Sequence, residues 1–504
     1  MLPHDTKHPS RFARCVTSAV LTLLAGCTVG PNFRKPSAPD ATRFTEKPLT
    51  SQTVSAATPV GAAQKLVNGR DIQGDWWTLF HSPQLNALVT RALSANPDIA
   101  AAQATLREAR ENTRAEQGSQ YPQASTTLSR EREHNEQRQP GQPPSTYSVV
   151  SGTVDVSYTL DAFGGIRRQV EQLNAQADYQ RFELEATYLT LTANVVNAAI
   201  NEASLQKQID TTHDILRAYQ KALDLTRKRF ELGGVSQADV LQQQASLDAQ
   251  AAKLPGLQKQ LEQQRNQLAV YLGGLPSNYD RPTLDLSNLV LPADIPVSLP
   301  SALVEQRPDI RAYAALLHSA TANVGVATAN MLPQISLTGE YGHEGTGWSN
   351  LFNPAGMLWS LAGSLTQPLF EGGTLRAKRR SAIAAADVAA AQYSSTVNSA
   401  FQDVANALVA VQRDAETLAA DLQAQKTAAA SLGVARAQYD AGGGTYLNVL
   451  NAEQTDQSAR LTLVNAQAAR FTDSVALFQA LGGGWWNRTD VDPTVSTCCG
   501  VFHP

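Results

Sequence analysis

After its first thirty residues the sequence holds no apolar run approaching the roughly 18 residues that a membrane-spanning helix needs, which excludes a polytopic helical membrane protein. A membrane protein built from strands leaves a much weaker trace and stays open. Charge is also scarce. Only 17% of the 504 residues are charged, and the formal net charge is −4, whereas an ordinary soluble domain carries about 25%. So weak an acidic balance gives no reason to expect nucleic acid or an acidic substrate. Cysteine is limited to four residues, Cys15, Cys27, Cys498 and Cys499. The last two are adjacent, and neighbouring cysteines rarely pair, so no disulfide framework exists. Three methionines are too few for a soft-metal route, and the eight histidines are scattered without ligand spacing. No GxxxxGK[ST], GxSxG or HExxH is present, so an enzyme is not expected. The cluster Arg376, Lys378, Arg379 and Arg380 opens a long helix and reads as solvated or interfacial rather than as a ligand site.

What is there begins with a targeting pattern. Residues 1–14 carry Lys7, Arg11 and Arg14, residues 15–26 are apolar, and small residues precede Cys27. That order is a secretory signal, too short to anchor as a helix. The run Leu24-Ala25-Gly26-Cys27 resembles the bacterial lipobox. Residues 1–26 are therefore expected to be removed and Cys27 to carry diacylglycerol and N-acyl chains, each buried methylene contributing roughly 0.8 kcal/mol to membrane attachment. Thr28 stands where an Asp would resemble an inner-membrane retention signal, so the outer membrane is favoured. No other cofactor is expected.

The remainder is written twice. Pro97-Asp98-Ile99 matches Pro308-Asp309-Ile310, and Pro122-Gln123 matches Pro333-Gln334. Gly164-Gly165 before Arg168 matches Gly372-Gly373 before Arg376. Phe230-Glu231-Leu232-Gly233-Gly234 matches Tyr439-Asp440-Ala441-Gly442-Gly443, and Leu272-Gly273-Gly274 matches Leu481-Gly482-Gly483. Five landmarks in one order at nearly constant offset make a tandem duplication. The expected organisation is an extended N-terminal segment (27–74), a first repeat (75–274), a Pro-rich extended linker (275–299), a second repeat (300–484) and a tail (485–504).

Each repeat follows one plan. A helix with one central Pro comes first, roughly 83–119 and 300–330. Two strands follow, 122–131 with 148–160 and 334–343 with 358–367. Residues 148–160 alternate cleanly, with Val150, Val154, Val156, Tyr158 and Leu160 opposed to Ser151, Thr153, Asp155, Ser157 and Thr159. One apolar and one polar face over about ten residues suits a barrel strand with lipid outside and water inside. The same pattern also suits a half-buried hairpin on a soluble domain. Long helix pairs close each repeat, 166–272 and 374–481. Residues 166–232 contain neither Gly nor Pro, and such a helix spans roughly 100 Å. Its residues Leu205, Ile209, Thr212, Leu216, Tyr219, Leu223, Thr226 and Phe230 form a heptad seam, answered by Val240, Leu247, Leu254, Leu261 and Leu268, with a kink expected at Pro255. The second repeat has Val404, Leu408, Val411, Ala415, Leu418 and Leu422, then Leu450, Val464, Phe471 and Phe478.

Four strands cannot close a barrel, and open edges are not tolerated in lipid. Several chains must therefore contribute: two give eight strands, three give twelve.

The chain resembles the TolC-like outer-membrane efflux proteins, and specifically the lipoprotein branch that serves resistance-nodulation-division pumps. The residues that carry the likeness are Cys27-Thr28-Val29-Gly30-Pro31-Asn32-Phe33, Asp75-Trp76-Trp77 with Phe80, Asn96-Pro97-Asp98-Ile99, Leu160-Asp161-Ala162-Phe163-Gly164-Gly165, Gln367-Pro368-Leu369-Phe370-Glu371-Gly372-Gly373 and Ala480-Leu481-Gly482-Gly483-Gly484-Trp485. The resemblance implies a mixed α/β membrane protein. It would be a homotrimer with a twelve-stranded β-barrel in the outer-membrane lipid and a periplasmic α-barrel closing at its tip. It also implies a passive exit duct for drugs or toxicants, with a periplasmic adaptor protein and an inner-membrane transporter as partners. By the same resemblance the helix-tip turns Gly233, Gly234, Gly442 and Gly443 mark the gate region, with Ser236 and Thr445 as helix caps. Leu447 would be an apolar plug, and Asn448 and Asn451 stand where acidic residues are common, so a ring of negative charge is in doubt. Asp239 is an alternative source of charge. The competing readings are the outer-membrane duct of a protein-secretion system and a structural coiled-coil lipoprotein. Strand alternation argues against a spacer, which needs no lipid-facing strands.

Overall fold

The computed structural model describes residues 28–135, 145–278 and 284–488. Cys27 and the pair Cys498 and Cys499 lie outside the described residues. The chain divides into two compact units. One gathers the described part of Met1–Pro36, Thr105–Arg181 and Ala312–Ser394; the other gathers Ser37–Ala104, Phe182–Arg311 and the described part of Ser395–Pro504.

The first unit is organised by a four-stranded antiparallel sheet in the order β2 (Gln123–Asn135), β3 (Ser145–Leu160), β5 (Gln334–Gly345), β6 (Met357–Thr366). The two hairpins, one from each repeat, meet at the β3–β5 pair, from Leu160 opposite Ile335 to Val150 opposite Gly345. Among the described residues β2 and β6 each pair on one side only.

The helix that opens each repeat is two helices, not one bent at a proline. α1 (Pro83–Ala95) ends before α2 (Pro97–Gly118), and α6 (Pro300–Gln306) ends before α7 (Pro308–Ala329). Proline disfavours helical geometry in the residue before it, and Asn96 and Arg307 are both extended there. Each then performs an equivalent task. The Asn96 side chain donates to the Tyr271 carbonyl at 2.9 Å, and Arg307 donates to the Ala480 carbonyl at 3.0 Å. Both carbonyls end a return helix, so the duplication extends to its cross-links.

α3 (Gly165–Glu231) and α8 (Thr374–Asp440) are each 67 residues long. Lys228 and Arg229 occupy the last turn of α3, where positive charge suits the helix dipole. The first return is interrupted. α4 (Gln237–Ala251) and α5 (Leu254–Tyr271) are separated at Ala252 and Lys253, just ahead of Pro255, so the expected kink is a break. The second return, α9 (Tyr446–Ala480), is continuous. Along the seams Ile209, Thr212, Tyr219, Leu223, Val404, Leu408, Val411, Phe471 and Phe478 are buried. Phe230, read as the last seam residue, is 44% exposed because α3 ends one residue later. In α4 the buried positions are Gln243 and Gln250, while Val240 and Leu247 are half-buried.

Neither connecting segment is plainly extended. β1 (Lys65–Asn68), within the N-terminal segment, pairs in parallel with β4 (Asp294–Val297), within the Pro-rich linker, which also forms two 3-10 turns. The second unit buries its aromatics beside this pair of strands: Trp76 stacks on Phe478 at 5.3 Å, and Phe80 lies 6.1 Å from Phe471. Arg470, 2% exposed, donates to the carbonyls of Val60 and Ala62 and to Gln64 Oε1. No helix among the described residues is long and apolar enough to cross a membrane.

Candidate functional site

Two surfaces stand out by their chemistry, and the first is the sheet. Register aligns the apolar positions of β3, β5 and β6 on one face, to which β2 adds Ala124 and Leu128 beside Thr126. Tyr341 lies opposite Val154 and Trp359, Gly339 opposite Val156 and Leu361, and Ile335 opposite Leu160 and Leu365. The side chains of β6 are exposed, Trp359 by 71%, Leu361 by 79% and Leu365 by 66%, as are Tyr341, Val154 and Val156, while Leu160 and Ile335 are half-buried. An exposed apolar band this continuous demands an apolar neighbour.

The other face is hydroxylic and acidic. Thr127 and Thr153 donate to Asp155 at 3.5 and 3.0 Å, Ser360 donates to Glu340 at 3.5 Å, and the pairs Ser129–Ser151 and Ser336–Ser364 lie 2.7 Å apart. Asp155 stands directly opposite Glu340. Carboxylates so placed repel one another, an arrangement that suits a face open to water. Strand periodicity separates the two faces; the coincidence of charge across strands needs the register.

The second surface is the pair of helix turns. Gly233 and Gly442 both have φ of 76°, a left-handed conformation that glycine adopts without a Cβ penalty. In each turn the next two amide groups close the helix, Gly233 and Gly234 donating to Phe230 and Arg229, Gly442 and Gly443 to Tyr439 and Gln438. After the first turn, Ser236 and Asp239 form a reciprocal capping box, in which the Asp239 carboxylate accepts from the Ser236 amide at 2.9 Å and from its hydroxyl at 2.8 Å. Asp239 is thus engaged in starting α4, with its half-buried carboxylate held at the first turn. After the second turn, Thr445 occupies the cap position without a side-chain hydrogen bond, so its expected capping role is not realised. Leu447, Asn448 and Asn451 are exposed on the first turns of α9. Asn451 lines an open, hydroxyl-rich groove with Asp421, Gln454, Thr455, Ser458 and Thr462.

A polar network ties these turns together, and the sequence did not reveal it. Arg229, at the end of α3, pairs with Asp440, at the end of α8, at 2.7 Å and lies over the Tyr439 ring at 5.2 Å. Tyr446 donates to Gln243 Oε1, and Gln243 donates to the Tyr219 carbonyl at 3.4 Å. Buried Glu453 pairs with Arg436 at 2.8 Å, and buried Asp456 with Arg460 at 2.7 Å. Burial pushes the Tyr219 and Tyr446 hydroxyls up to about 12, so both remain neutral donors. The available signal was a glutamine at a seam position, Gln243, whose polarity marks a buried hydrogen bond.

A third cluster holds the N-terminal segment of the first unit. Arg168, 3% exposed, donates to the Val29 carbonyl at 3.1 Å and to Asn32 at 2.6 Å, and pairs with Glu171 at 2.6 Å. Glu171 also accepts from His318 at 2.9 Å, and His318 stacks on Phe33 at 4.5 Å. Both partners hold the Glu171 carboxyl below its usual range, against the opposing effect of burial. Among the described residues no group of three or more His, Cys, Asp or Glu side chains is arranged to hold a metal ion.

The comparisons with known proteins agree with one another. A family model described as outer membrane efflux protein matches residues 88–274 and 299–483. The chain is 32% identical over 472 residues to the antibiotic efflux pump outer membrane protein ArpC of Pseudomonas putida, covering 93% of this chain and 94% of that one. It matches the toluene efflux pump outer membrane protein TtgC, also of Pseudomonas putida, with the same figures. The solved structure of the outer-membrane channel OprN superposes with a TM-score of 0.82 at 29% identity, over 91% of this chain and all of the other.

Proposed function

Because the chain belongs to the outer membrane efflux protein family, we propose that it is the passive exit duct of a tripartite resistance-nodulation-division pump. The observation that carries this reading is the four-stranded sheet with one exposed apolar face, one acidic and hydroxylic face, and two unpaired edges. Lipid would cover the first face and water the second. The edges would be completed by other copies of the chain, three copies giving the twelve-stranded barrel. Cys27 would carry the acyl chains. A wide path lined by Ser, Thr, Asp and Glu supplies no energy and little selectivity, so the driving force would come from an inner-membrane transporter coupled through a periplasmic adaptor. The exposed residues Leu447, Asn448 and Asn451 after the second glycine turn would form the periplasmic constriction. Names among the relatives include antibiotics and toluene as exported compounds, and small apolar or amphiphilic toxicants are the cargo proposed here.

The test is loss of the gene in a strain whose pump and adaptor remain intact. Sensitivity to a broad panel of antibiotics and solvents should rise at least severalfold. Unchanged sensitivity across the panel would count against the proposal.

A further inference from the structure

The duplication brings two strand-to-helix junctions to one level, since Leu160 at the end of β3 is aligned through Ile335 with Leu365 near the end of β6. They have diverged. At the first junction the basic residues are consumed within the chain: Arg167 pairs with Asp161 at 3.1 Å, and Arg168 with Glu171. This junction also receives the segment that follows Cys27, because the Val29 amide donates to the Phe163 carbonyl and Thr28 packs against Gly164. Thr28, the residue after the proposed lipidation site, thus sits at this level.

The second junction presents the opposite picture. Leu369 and Phe370 stand 91% and 90% exposed between the last membrane-type strand and α8. Arg376, Lys378, Arg379 and Arg380 follow on the first turns of that helix, all exposed. None of the four forms an ion pair with a described carboxylate, and the one polar contact is from Arg379 Nε to the Thr328 hydroxyl at 3.2 Å. Arg376, Arg379 and Arg380 are spaced i, i+3, i+4 and share a helix face. Four cations offset only by Glu371 lie within about 10 Å of the helix start, and the polar layer of a leaflet is roughly 6 Å deep. An apolar pair followed at this depth by unpaired cations fits an acyl boundary followed by phosphate.

We propose that the start of α8 is a binding surface for anionic phospholipid headgroups of the periplasmic leaflet, with Leu369 and Phe370 set among the acyl chains and Arg376, Lys378, Arg379 and Arg380 on the phosphates. The inference rests on the barrel reading above, which makes β6 a lipid-facing strand. It gives the second repeat a membrane attachment of its own, matching the lipid proposed at the first.

The test uses the full-length protein extracted from membranes and reconstituted in phosphatidylethanolamine vesicles containing a minor share of phosphatidylglycerol. Spin-labelled lipids report which headgroup is held in the immobilised shell around the protein. The anionic lipid should be enriched there by about fivefold for each fully engaged cation, and added salt should lower the enrichment. The variant R376Q/K378Q/R379Q/R380Q should return the shell to the bulk ratio, while R376K/R379K/R380K should retain the enrichment. A wild-type shell at the bulk ratio, enrichment that survives the glutamine variant, or its loss in the lysine variant each overturns the proposal. So does dissociation of the glutamine variant into single chains, which would make the cluster a contact between copies. Conductance of the same wild-type preparation is read separately: its absence counts against the duct and leaves the lipid ratio to be judged alone.

Discussion

Asn451 shows how much a single atom decides at the second helix turn. It lines a groove with Asp421, Gln454 and Thr455, and its carboxamide contributes no charge. If this position lines the constriction, Asn451→Asp should raise cation preference, read as a shift of reversal potential in a salt gradient; an unmoved potential removes Asn451 from the constriction. Asp414 is a second case. Burial, followed by a hydrogen bond with Asp473, pushes its carboxyl from 3.8 up to about 7, opposed by nearby Arg470. A carboxyl whose folded value is raised favours folding when protonated, so that contribution is complete below about pH 4 and is lost as pH rises towards 7. After allowance for solvent screening the effect is on the order of 1 kcal/mol. Thermal stability should fall between pH 5 and 7.5 in the wild type, and Asp414→Asn should flatten that slope. Sequence reading reached such residues unevenly. The glycines of both turns were legible because φ near +76° has a residue preference. The capping role of Asp239 was not: a carboxylate three residues after a serine need not turn back on it, and the box shows only in its two hydrogen bonds from Ser236. Arg168, Arg229 and Arg470 were invisible as cross-links because their partners lie far off in sequence.

Among the elements, β3 was legible from period-2 alternation over a dozen residues, and both long helices from the near-absence of Gly and Pro. β1 and β4 were missed because four residues are too few to show a period, and β4 contains Pro296. The segment 83–119 was read as one helix where α1 and α2 are two, since helical patterning continues on both sides of Asn96. Sheet pairing itself has a sharp test at Gly342, opposite Thr153. A Cβ there would lie 2.4 Å from the Gly152 carbonyl oxygen and 2.8 Å from Thr153 Cα. Gly342→Ala should force the β3–β5 ladder apart towards its Val150 end and cost about 1–3 kcal/mol. The expected readout is a lower temperature for dissociation of the assembled protein, while the helical signal of the chain is preserved. Equal dissociation temperatures would mean that the two repeats are not joined along this ladder.

For the whole molecule, the duplication was the most legible feature, because five landmarks recur in order and each copy retains the same cross-link between helix start and return-helix end. Assembly was legible only as a requirement. The sheet has apolar and acidic faces and two unpaired edges, and none of the described residues covers either edge. The scarcity of charge fits the same picture, since the exposed apolar face of the sheet and the Ala- and Gln-padded helices use little of it. That the completed assembly is an open path through the membrane is the central claim, and single-channel recording in planar bilayers tests it most directly. Wild-type protein should give discrete conductance steps. Arg229→Ala, which removes the 2.7 Å pair with Asp440 between the helix turns, should enlarge or prolong them severalfold. No steps from either protein, with the assembled chain verified in the bilayer, would contradict the duct.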